Sequence, residues 1–122
     1  MFPKSKEAPA QARVYVRDLL AFDDDQLDAD RLDDVLLIVS ELVTNAYRYG
    51  TEPGDSVLVT VLTTRELVRV EVHDPSRTRP CMRNESDERA RGRGLHIVDE
   101  LAARWGTNDR PLGKAVWAEV KR

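Results

Sequence analysis

The apolar period of this chain switches near residue 50, from helical to strand-like, and that switch constrains the architecture more than any other feature of the sequence. Leu32, Val35, Leu36, Val39, Leu42, Val43 and Ala46 recur three or four residues apart, as an apolar stripe along one helix face does. Asp28 or Asp30 can cap that helix and Gly50 can end it, so the spacing predicts a helix over 29–49. After the turn Thr51-Glu52-Pro53-Gly54-Asp55, residues 56–63 and 67–73 alternate with period two and predict antiparallel strands joined around 64–66. An amphipathic helix followed at once by a strand pair must bury its stripe against the sheet which that pair begins.

The remaining segments fit around this unit. Ala10, Val14, Val16, Leu19 and Leu20 approximate a helical stripe over 7–21, ended by Phe22-Asp23-Asp24-Asp25. Residues 1–7, with Pro3 and scattered charge, read as a flexible N-terminal segment, and 8–122 as one domain. Residues 75–91 have no period and contain two prolines; a stretch of that kind in a small domain is a lid, a binding loop or disorder. Gly92-Arg93-Gly94 then opens a helix carrying Leu95, Ile97, Val98, Leu101 and Ala102, and short strands follow near 104–108 and 114–121. This order predicts a two-layer α/β sandwich, a mixed, mainly antiparallel sheet covered by helices on one face.

Composition removes several classes of function. The net charge of −3 is too acidic for a whole-domain nucleic-acid binder, and no apolar run approaches the roughly 18 residues of a membrane span. The N-terminus lacks the apolar stretch of a secretory signal, and Cys81 is the single cysteine, so a cytoplasmic protein without disulfides is expected. Against the acidic whole, residues 75–93 hold six arginines and three acids, which suggests an anionic ligand or partner or, more plainly, a solvated loop.

Three places could carry chemistry. Glu41, Asn45 and Arg48 project from roughly one face of the long helix, where a carboxylate can accept a proton and an amide oxygen can sit on Mg²⁺ beside phosphates. Gly92 and Gly94 allow close backbone approach at a helix start, whose amides bind phosphate oxygens. Asp74 continues the inward phase of Val68, Val70 and Val72, and a core-facing carboxylate at a strand end calls for a partner such as an exocyclic amine. Taken singly, these have plainer readings as a solvated helix face, a glycine turn and a turn aspartate. His73, Asp74 and Ser76 are too close in sequence to form a hydrolase triad, Cys81 and His96 read as incidental, and Trp105 and Trp117 as sheet packing.

In order, Glu41-Leu-Val-Thr-Asn45-Ala-Tyr-Arg-Tyr-Gly50, then Val72-His-Asp74, then Gly92-Arg-Gly94-Leu95-His-Ile-Val98 resembles the N, G1 and G2 boxes of the GHKL ATPase and kinase superfamily. The likeness runs from about Ala10 to Val120 and is greatest to the small anti-sigma-factor serine/threonine kinases and related ATP-binding regulators of actinobacteria. It implies ATP and Mg²⁺ as cofactors, Glu41 as general base, Asn45 as magnesium ligand and Asp74 as adenine anchor. It further implies Gly92, Arg93, Gly94 and Leu95 at the phosphate-binding hinge of an ATP lid over 75–93, with Arg48 near the phosphates. The implied partners are an anti-sigma-factor antagonist, as substrate, and a sigma factor, with homodimerisation common among relatives. Three positions depart from the pattern: Pro75-Ser76-Arg77-Thr78 replace the glycines after Asp74, Ala115 stands for a threonine that supports the aspartate, and only Met1-Phe2-Pro3 precede the first helix as strand material. These departures motivate an alternative, a catalytically inactive interaction module on the same fold. A histidine-kinase catalytic domain fits less well, since no phosphoacceptor helix pair precedes the N box and the lid is short.

Overall fold

Each switch of period becomes an element boundary in the computed structural model, which describes residues 1–22, 27–49, 51, 54–75 and 93–122. In chain order the elements are β1 (Phe2–Pro3), α1 (Ala8–Ala21), α2 (Ala29–Tyr49), β2 (Ser56–Thr63), β3 (Leu67–Asp74), α3 (Arg93–Leu101), β4 (Arg104–Arg110) and β5 (Gly113–Lys121). The strands form one sheet in the order β1-β2-β3-β5-β4, and the sheet expected to be mainly antiparallel is antiparallel at every described pairing. The three helices pack on it, giving the expected α/β sandwich.

Helix α2 is the keel of the domain. Asp28 Oδ1 accepts a hydrogen bond from the Arg31 amide at 2.8 Å, satisfying one of the donors that a helix start leaves open. Val35, Ile38, Val39, Leu42, Val43 and Ala46 are buried against Val68, Val70 and Val72 of β3 and Val116, Ala118 and Val120 of β5. Helix α1 departs from its expected stripe. Its buried line is Ala8, Ala12, Val16 and Leu20, whereas Val14 and Leu19 are exposed. Strict four-residue spacing with alanines at two positions lets α1 lie close along α2, which a stripe centred on Val14 and Leu19 would not.

The N-terminal segment, expected to be loose, contributes the edge strand. Phe2 pairs with Val57 and Pro3 with Ser56, and the buried Tyr47 hydroxyl of α2 donates to the Phe2 carbonyl. Trp105 and Trp117 do pack the sheet, on opposite faces: Trp105 lies against the core, while Trp117 lies on the side away from the helices, opposite Gly106. A Cβ at Gly106 would stand 2.9 Å from Trp117 Cζ2, so the missing side chain makes room for the indole.

That helix-free face carries a charge network around Trp117, with the Arg69 guanidinium 4.1 Å from its ring centroid. Arg104 Nε donates to Glu119 at 2.9 Å, Arg69 donates to Glu119 at 3.2 Å and to Glu71 at 2.7 Å, and His73 Nε2 lies 3.0 Å from Glu71. Hydrogen bonding from Arg104, against the opposing effect of burial and with help from Arg69, holds the Glu119 carboxyl below its ordinary value. Burial pushes Glu71 upward, but hydrogen bonds and charge from Arg69 and His73 outweigh it, and this group also titrates low. Carboxylates with depressed folded-state values add stability above their unfolded value and lose it as pH falls through the folded value. Thermal melts are therefore expected to be flat in pH above the ordinary glutamate value of about 4.3 and to fall steeply below it. Glu119→Gln should show a shallower acid limb when melting temperature is followed by calorimetry.

Candidate functional site

Topology brings the three separated motifs to one end of the sheet. Strand β2 starts six residues beyond α2 and runs antiparallel to β3, with Leu58 opposite His73, so the C-terminal half of α2 lies near the Asp74 end of β3. Helix α3 finishes beside the start of β4, which pairs with the far end of β5 at Glu119, so its first residues, Arg93 and Gly94, return to the Asp74 end. Helix α2 packs against both α3 and β3.

On α2, Glu41 and Asn45 are half-buried, one helical turn apart, and neither forms a hydrogen bond or ion pair among the described residues. A carboxylate and an amide partly withdrawn from water, with no partner among the described residues, are side chains that a ligand can engage. Arg48, two turns from Glu41, is exposed and lines a cavity on the α1 side of α2. Leu95 of α3 is fully buried, so it anchors the helix start by packing. Gly92 and most of the expected lid, 76–92, lie outside the described residues.

Asp74 is buried, as its strand phase requires, and its partner is Lys114. The Lys114 ammonium donates to Asp74 Oδ1 at 2.9 Å, and both side chains are at least 96% buried. The two residues are directly opposite in the β3–β5 register. The support that the resemblance placed at position 115 thus comes from the neighbouring residue, because Ala115 has the opposite strand phase and pairs with His73. Lys114 is the site residue that sequence reasoning passed over. Its signal was present: it shares the inward phase of Val116, Ala118 and Val120.

Gly113 fixes the height of this pair. Its φ is +154°, and a Cβ there would fall 1.9 Å from the Asp74 carbonyl oxygen and 2.7 Å from Pro75 Cα. Both contacts are with backbone, so a side chain would have to push β3 and β5 apart at the site. Gly113→Ala is expected to cost about 2 kcal/mol or more in denaturant unfolding, and to weaken any ligand that uses Asp74.

A buried carboxylate at the strand end, an amide and a carboxylate on the facing helix, and a helix start at the same end are groups of the kinds that can engage a nucleotide. The chain belongs to the histidine kinase-like ATPase domain family, which it matches over residues 2–120. This family, part of the GHKL superfamily, generally binds ATP with Mg²⁺ and includes anti-sigma-factor kinases. No curated protein matches the chain. No helix among the described residues is long and apolar enough to cross a membrane.

The residues present fit that cofactor. Asp74 offers a buried acceptor for a base amine, and Asn45 an amide oxygen for a magnesium ion. Among the described residues no group of three or more His, Cys, Asp or Glu side chains gathers as a metal site. Asn45 would supply an amide oxygen to an ion that accompanies a nucleotide.

Proposed function

We propose that this chain is a Mg²⁺-ATP-dependent protein serine/threonine kinase of the anti-sigma-factor type. Its substrate is a small antagonist protein in the cytoplasm, and its regulated partner is a sigma factor or a similar protein. The observation that carries this reading is the pair Glu41 and Asn45, half-buried and without partners among the described residues, on the helix that faces the buried Asp74 end of the sheet. A domain kept only as a scaffold has no use for a partly buried carboxylate and amide at that spot.

Mg²⁺-ATP, when bound there, would supply the phosphoryl group. Glu41 would accept the proton of the acceptor hydroxyl, Asn45 would offer its amide oxygen to the metal, and Asp74 would hold the base through its exocyclic amine. The opening amides of α3, near Arg93 and Gly94, would stabilise phosphate charge, and Leu95 fixes that helix start by its burial. Arg48 adds a cation two turns from Glu41. Relatives that dimerise suggest the same for this chain.

Calorimetric titration with ATP, with and without Mg²⁺, tests the site. Magnesium-dependent binding that disappears in Asn45→Ala is the expected result. Absence of binding at millimolar ATP would overturn the nucleotide reading.

One observation favours a second reading, an interaction module without catalysis. Asp74 already holds a buried ammonium at 2.9 Å, so a base amine has to share that carboxylate with Lys114. The same titration separates the two.

A further inference from the structure

We propose that the cavity between the chain entering α1 and the C-terminal half of α2 binds an acidic segment of the phosphoacceptor protein. The partner's identity rests on the kinase reading above; the charge of the segment rests on the cavity itself.

The cavity encloses about 510 Å³, and Lys4, Lys6 and Arg48 line it together with Ser5, Thr44 and Tyr47. No acidic residue lines it, and no ion pair joins any of the three cations to a carboxylate among the described residues. The Lys4 ammonium donates to the Thr51 carbonyl at 3.2 Å, a neutral partner that orients the side chain. Tyr47 stays neutral, since burial raises its hydroxyl above the ordinary tyrosine value. Three cations and three hydroxyl side chains lining one hollow of an acidic protein, with no anion among the described residues there, are complementary to carboxylates.

Position makes the ligand a peptide segment. Arg48 lies seven residues from Glu41 on nearly the same helix face, about 10 Å along the axis. An extended chain spans that distance in about three residues. A serine placed at Glu41 therefore presents side chains about three residues away to Arg48, and those beyond it to Lys4 and Lys6. The substrate is thus defined as a serine flanked, about three residues off, by a run of Asp or Glu.

Fluorescence anisotropy with labelled synthetic peptides, in the absence of nucleotide, tests the inference. One peptide carries a serine and three glutamates beginning three residues away; its control has lysines in place of the glutamates. The wild-type chain should prefer the glutamate peptide, and added salt should weaken it. Because Lys4 and Lys6 are exposed, their reversal leaves the core untouched. Lys4→Glu/Lys6→Glu should lose about tenfold or more in affinity for the glutamate peptide and gain binding of the lysine peptide. Equal binding of the two peptides by the wild-type chain, or an unchanged preference in the double variant, would overturn the proposal. Since the measurement needs neither ATP nor Glu41, acidic-peptide binding without phosphotransfer would leave the docking site standing and remove only the kinase reading.

Discussion

Lys114→Met is expected to destabilise the domain by about 3–5 kcal/mol, more than any other single side-chain change considered. The substitution keeps the length and apolar stem of lysine and removes only the ammonium that sits 2.9 Å from Asp74 Oδ1. What remains is a carboxylate at least 96% buried that has lost this ammonium, and desolvating a charge without such compensation costs several kcal/mol. Packing changes little, so the loss reports the electrostatics. The diagnostic partner is Lys114→Met/Asp74→Leu, in which both charges are replaced by apolar groups of similar volume. Chemical denaturation should show this double variant recovering most of the lost stability, because a buried ion pair contributes little beyond an apolar pair although either half alone is harmful. A double variant as unstable as the single one would mean that Lys114 acts through something other than Asp74.

Glu41→Gln carries the largest expected effect on activity. A positioned general base contributes about 10²–10⁴ in rate, and glutamine keeps the shape of glutamate while losing its ability to take a proton. Transfer of phosphate from radiolabelled ATP to the acceptor protein should therefore fall by about that factor, while calorimetric ATP affinity stays within about twofold. The division between rate and affinity identifies the role. A residue that only shaped the pocket would lose binding along with turnover, and undiminished transfer would remove Glu41 from the mechanism.

The structure repays the sequence unevenly, for physical reasons. Helix α2 and strands β2 and β3 were legible to within a residue because their apolar periods run long enough to permit one phase only. The same phase argument placed Asp74 inside. It would also have placed Lys114 inside, but lysine in a strand reads as surface until its partner across the sheet is known. Helix α1 misled because its stretch is rich in alanine and valine; two stripes compete there, and only contact with α2 selects Ala8, Ala12, Val16 and Leu20. Strand β1 is two residues long, too short for any period. Within the site, Glu41 and Asn45 were visible as a spacing on one helix. That Lys4 and Lys6 share a cavity with Arg48 depends on how the chain before α1 crosses α2, which no local pattern encodes.

The brevity of β1 has a further consequence for the edge of the sheet. Its two residues cover Ser56 and Val57, and among the described residues no other strand lies on that side of β2. From Leu58 to Thr63 no described residue pairs with the outer flank of the strand, and Leu58 and Leu62 are exposed beside it. Unpaired amide and carbonyl groups of this kind are what an added strand uses, so the flank of β2 beyond Val57 is where a further extended segment would join the sheet.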